Sequence, residues 1–92
     1  KLLTFDLYHQ GKTIQEIATL RNLSTSTIES HLAYYIQSGS IAILDILDVQ
    51  TYRDIKAQVQ KNPAAALAEI KTQLRQYSYG QIKMVMAAKE SN

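Results

Sequence analysis

His9 and His31 are the only imidazoles in this chain of 92 residues, and cysteine is absent. Neither histidine belongs to an H-E-x-x-H motif or a carboxylate pairing, so the spacing of a zinc hydrolase is missing. Ser24 and Ser26 stand near His31 in sequence, yet no elbow motif and no third group to orient the ring accompany them. The glycines form no phosphate-cradling pattern. The sequence therefore points to no catalysis, no metal and no cofactor, and what it retains is recognition chemistry. On a helical projection Ser26, Thr27, Ser30, Ala33, Tyr34 and Gln37 share one face of small or hydrogen-bonding groups, with no acid among them. Such a face suits entry into a DNA major groove. It suits equally the solvated side of any small helical bundle.

The elements that position this face are marked by caps. Thr13 with Glu16 three residues later fits a capping box, and Ile14, Ile17 and Ala18 follow at one-face spacing. Leu20 and Leu23 are expected to close over a corner at Arg21-Asn22-Leu23, about the length of a helix-turn-helix linker. Ser24 suits the N-cap of the next helix. There Ile28, Leu32, Tyr35 and Ile36 make an apolar stripe, and Gly39 is placed to end it. Upstream, Leu3, Phe5, Leu7 and Tyr8 predict a first helix to about Gln10, ended by Gly11. Residues 1–40 thus read as a three-helix unit.

Residues 41–47 alternate in a way that fits a short strand, as in a winged helix, or the lead into a helix. No Asn-Gly or Asp-Gly hairpin follows, so a complete wing is not evident. Asp48 predicts a helix over 49–61 with Tyr52, Ile55 and Val59 on one face. Asn62-Pro63 reads as an N-cap followed by proline at the first helical position. It would open an alanine-rich helix with Leu67, Ile70, Leu74 and Tyr77 on its stripe. Ser78 would cap a last helix with Tyr79, Ile82, Val85 and Met86 facing inward. The expectation is all-α: six helices in a single domain (1–92), the last three (41–92) closing on the back of the first three. The chain starts at Lys1 within an uncapped helix and reads as a piece of a longer protein.

These residues carry a resemblance. Gly11, Thr13, Glu16-Ile17-Ala18, Arg21, Leu23-Ser24, Thr27-Ile28, His31-Leu32 and Gly39 follow the pattern of the helix-turn-helix domain found at the C-terminal ends of RecQ-type DNA helicases and helicase-associated proteins. Tyr79-Gly80-Gln81-Ile82 is similar to that family's closing S-Y-G-x-I element. The T-I-x-x-H-L part also resembles the output domain of LuxR-type regulators. The resemblance implies a non-catalytic accessory domain that binds DNA, or positions a parent ATP-dependent helicase or a helicase partner on it, in a cytoplasmic, nucleoid-associated setting. The runner-up is a protein-interaction module of helix-turn-helix shape, and a transcription regulator stands third.

If the helix from Ser24 to Ser38 reads duplex DNA, Thr25, Ser26 and Thr27, with Ser30 one turn later, lie nearest the bases. Lys12 and Arg21 would meet phosphates. His31, on the flank of the stripe, suits packing at the core edge or donation to a phosphate, packing being preferred. Tyr34 faces away from the stripe and suits stacking on a base or packing on another part of a parent protein. Charge argues the other way. Residues 1–40 hold Lys1, Lys12 and Arg21 against Asp6, Glu16 and Glu29, which sums to zero. Duplex binders draw much of their affinity from neutralising phosphates. From Pro63 onward Lys71, Arg75, Lys83 and Lys89 outnumber Glu69 and Glu90; they form either a phosphate track separate from the recognition helix or a solvated surface, the latter preferred. No apolar run approaches the roughly 20 residues of a membrane span, and no small-molecule substrate is expected.

Overall fold

Hydroxyl and carboxylate caps set the helix starts in the computed structural model, which describes residues 1–91, with side chains through Ala88. In chain order the helices are α1 (Leu2–His9), α2 (Ile14–Arg21), α3 (Thr25–Gln37), α4 (Val49–Lys61), α5 (Leu67–Gln73) and α6 (Tyr79–Ser91). The box at α2 is reciprocal: the Glu16 amide donates to Thr13 Oγ1 at 3.1 Å and the Thr13 amide to Glu16 Oε1 at 2.8 Å. The Thr27 amide donates to Ser24 Oγ at 3.1 Å, and the Thr51 amide to Asp48 Oδ1 at 2.7 Å. Ser78 and Gln81 form a second box at α6, with bonds of 3.1 and 2.9 Å. Each such bond satisfies an amide that a helix start leaves unpaired.

The α2–α3 corner turns through Asn22, which is left-handed at φ 54°. Its geometry is held by the Leu23 amide donating to the Ala18 carbonyl at 2.9 Å. Leu20 and Leu23 do not close over this corner: Leu20 is 62% exposed and Leu23 is exposed as well. Gly39 follows α3 at φ 86°, a conformation that side chains other than glycine's rarely adopt. Residues 41–47 settle as neither strand nor α-helix but as one 3-10 turn at Ile43–Asp45, with Ile41 and Leu47 anchored in the core. No strand occurs among the described residues, so there is no wing.

α3 lies at the centre. Ile28, Leu32 and Ile36 are buried, with Ile17 from α2 and Phe5, Leu7 and Tyr8 from α1 in the same cluster. Thr4, not Leu3, is the fully buried residue of α1, and Leu3 is exposed. α6 packs along α3 in the largest helix–helix contact among the described residues, and it also touches α4, α5 and the 3-10 turn. A helix enclosed by several neighbours has no single inward stripe. Hence Gly80, Ile82, Met84, Val85, Ala87 and Ala88 are all buried, while Tyr79, expected inside, is half exposed.

Two further expectations divide. α4 has the predicted bounds, with Ile55 and Val59 buried. Pro63 does not open a helix. Residues 62–65 form a turn in which the Ala65 amide donates to the Asn62 carbonyl at 3.0 Å, and Ala65 enters the core. α5 starts only at Leu67, after the Glu69 carboxylate has accepted from the Ala66 amide at 3.5 Å. Ile70 and Leu74 are buried as the stripe required. Tyr77 donates to Asp54 Oδ2 at 2.6 Å and ties the α5–α6 connection to α4.

Short as it is, α5 docks through Ile70, which is 1% exposed. Ile70→Ala is expected to cost about 2–5 kcal/mol as a cavity, and Ile70→Leu less than about 1.5 kcal/mol. Urea unfolding of both variants checks this; an Ile70→Ala protein that unfolds with the parent would show α5 undocked.

Candidate nucleic-acid interface

The polar face expected on α3 is divided by α6. Glu29 meets α6 at Gly80, and Ser30 accepts a hydrogen bond from Lys83 Nζ at 3.2 Å. Ala33 lies between these two on the helix surface and is covered, 3% exposed. Ser26, Tyr34 and Gln37 stay open, with Ser30, Thr27 and His31 half-buried at the margin. In the first turn Thr25 and Ser26 are exposed. α3 therefore offers a strip with a hydroxyl-lined N-terminal end, not a whole free face.

The acid of this helix, Glu29, meets the start of α6 and also borders the hollow that Lys12 and Thr25 line. Gly80 comes so close to α3 that a Cβ there would lie 2.7 Å from Glu29 Cβ and overlap its carboxylate. Ser78 Oγ donates to Glu29 Oε2 at 3.4 Å. The carboxylate thus sits at the N-terminus of α6, where the helix dipole favours an anion. Burial nevertheless pushes its pKa up, against the lowering effect of the Ser78 bond.

Arg21 and His31 turn toward the interior. Arg21 NH1 donates to Thr4 Oγ1 at 2.7 Å and lies 3.4 Å from His31 Nδ1; Thr4 Oγ1 is 2.9 Å from the same nitrogen. Arg21 NH1 can only donate and lies beside Nδ1, which favours Nδ1 as an acceptor, with the Thr4 hydroxyl giving its proton to it. The network so assigns a neutral His31 with its proton on Nε2. Arg21, Thr4 and His31 come from α2, α1 and α3, so this relay pins the three helices together. Burial is the first cause holding the His31 pKa down, with neighbouring cations, Arg21 and Lys1 among them, adding to it.

Among the described residues, the remaining cations near α3 fall into two places. Lys12 is exposed beside the N-termini of α2 and α3, lining one hollow with Thr13, Thr25 and the carboxylates of Glu29 and Asp45. Lys83 reaches across to Ser30, and Lys1 Nζ lies 4.5 Å above the Tyr34 ring. Lys83 is therefore joined to the helix-turn-helix face and does not belong to a separate track. Lys71 instead donates to the Arg75 carbonyl at 3.3 Å, and the Lys89 side chain lies outside the described residues. Sequence reasoning missed Lys1 and Lys83 because each reaches α3 from a distant segment. Among the described residues no group of His, Asp and Glu is arranged to hold a metal ion, and no helix is long and apolar enough to cross a membrane.

A family model described as a helix-turn-helix domain matches residues 1–86. No curated protein and no solved structure gives a significant match.

The relay makes stability depend on pH. Because the folded state holds the His31 pKa below its ordinary value, the unfolded chain takes up the proton first as pH falls through about 6.5. His31 therefore costs stability increasingly on acidification and nothing above that range. The parent is expected to lose stability relative to His31→Gln between about pH 7 and pH 5; parallel thermal-melting curves for the two would contradict it. Thr4→Val should cost about 1–3 kcal/mol at neutral pH by leaving the Arg21 and His31 nitrogens unpaired.

Proposed function

The chain belongs to this helix-turn-helix domain family, and from that premise we propose a non-catalytic module that binds DNA and positions a larger protein on it. The observation that carries the reading is the exposed, hydroxyl-bearing first turn of α3, which holds no acid and stands beside Lys12. The Glu29 carboxylate, one turn on, accepts from Ser78 at the start of α6. Thr25, Ser26 and Thr27 then stand at the end of a recognition helix that meets base edges first, with Ser30 one turn later. Lys12, exposed beside them, supplies a phosphate contact. Arg21 adds only the part of its guanidinium not engaged with Thr4. The resemblance to RecQ-associated domains supports placing this module at the end of a DNA helicase or a helicase partner.

The second reading is contact with a protein, and the exposed Leu20 and Leu23 at the corner favour it. Paired apolar side chains beside a nearly neutral surface suit a partner whose binding barely depends on salt.

So few basic contacts predict weak duplex binding, roughly 10⁻⁴–10⁻⁶ M at physiological salt. A salt titration of a fluorescent duplex, by anisotropy, checks it. Lys12→Ala is expected to flatten the log-affinity slope by about one. A Lys12→Ala protein that binds like the parent, or a parent that binds no duplex at low salt, would overturn the duplex-reading role.

A further inference from the structure

Between α3 and α6 runs a groove of about 440 Å³, within the roughly 300–1,000 Å³ of ligand clefts. Lys1, Ser30, His31, Tyr34, Lys83 and Met86 are among the residues that line it, and among the described residues no carboxylate does. Two ammonium groups, a neutral imidazole and an exposed aromatic ring converge there, in a chain whose first 40 residues otherwise balance their charges. Beyond Ser30, toward Tyr34, α6 stands beside α3 and narrows the approach of a duplex. A narrower polyanion can enter.

We propose that the groove between α3 and α6 holds a single-stranded segment of nucleic acid, with a base stacked on Tyr34 and phosphates on Lys83 and Lys1. The inference rests on the nucleic-acid reading above for its class of partner but on different residues. Tyr34 is 51% exposed, and its ring is braced edge-on by Tyr35 at 5.1 Å, itself packed at a tilt of 31° against Phe5 at 4.4 Å. A rigid, open aromatic is what a stacking platform requires, since every base has a π-face to offer. The Lys1 ammonium now over that ring marks a face already open to a cation. A base would cover more of the ring than the ammonium does, and Lys1, at the end of a flexible stem, would move to the backbone phosphate. Lys83 needs to give up only a neutral hydroxyl, Ser30, for an anion. With Nδ1 occupied by Thr4, His31 keeps a donor on Nε2. Met86 gives the floor an apolar, adaptable surface for the base edge.

The test uses a fluorescein-labelled oligothymidylate of about 8 nucleotides, within the roughly 4–16 nucleotide site sizes of single-strand binders, with the duplex in parallel. Tyr34→Ala is expected to weaken oligothymidylate binding about 5- to 100-fold, and Tyr34→Phe to keep it, as loss of one stacked base predicts. Lys83→Met should flatten the single-strand salt slope by about 0.7. Both variants should bind duplex like the parent, while Lys12→Ala should do the reverse. Circular dichroism melts confirm that the variants are folded. Parent-like oligothymidylate binding by Tyr34→Ala and Lys83→Met would overturn the inference, as would no oligothymidylate binding by the parent. So would polyglutamate competing as well as oligothymidylate whatever residue stands at 34, since charge alone would then explain the groove. Duplex binding lost with Tyr34-dependent oligothymidylate binding retained would sink the duplex reading and leave this one standing.

Discussion

The approach of α6 to α3 at Gly80 is the constraint on which the other features depend. A residue without a Cβ lets the start of α6 lie against Glu29, where any side chain would overlap the carboxylate. That proximity puts Ser78 within reach of the same carboxylate and sends Ile82 and Val85 into the core. It also carries Lys83, one turn on, to Ser30. Ala33 serves the same contact from the other helix, its small side chain being covered. α3 is consequently held on both flanks: by α1 and α2 through Ile28, Leu32 and Ile36, and by α6 through Glu29 and Ala33. What is left open is a strip, and the proposed recognition uses it.

The electrostatics follow from the same packing. The formal charge of the first 40 residues is zero, which on its face argues against an anionic partner. Position matters more than the sum. Glu29 is turned onto a helix N-terminus, Glu16 is engaged in its cap, and Lys83 is imported from α6 to the edge of the strip. Arg21 moves in the opposite sense, its NH1 spent on a buried hydroxyl that links three helices. Among the described residues, the cations that face outward near α3 are thus Lys12 at one end and Lys1 with Lys83 at the other.

The capped elements were legible in the sequence because a cap is a local signal. Thr13 with Glu16, Ser24, Asp48 and Ser78 each act within three residues of themselves, and each helix start lies where they place it. Asn62-Pro63 has equally strong local chemistry, yet Ala65 enters the core and the chain turns before α5 can begin. α6 shows a different failure. A projection looks for one stripe, whereas α6 has neighbours on several sides, so Met84 was missed and Tyr79 misplaced. The division of the α3 face was illegible for the same reason, since α6 arrives from about 50 residues away in sequence. So was the relay: nothing in Leu3-Thr4-Phe5 announces that the hydroxyl, not the leucine, is the buried group.

The central claim is that α6 leaves α3 one usable strip, from Thr25 and Ser26 along Ser30 to Tyr34, with Lys83 at its edge. A nitrogen–proton NMR titration of the labelled domain, with a DNA duplex carrying a single-stranded tail, tests it most directly. The account predicts amide shifts concentrated at Thr25, Ser26, Ser30, Tyr34 and Lys83, with α4 unmoved. Shifts concentrated on α4, or on the exposed Leu20–Leu23 corner with the strip silent, would contradict it.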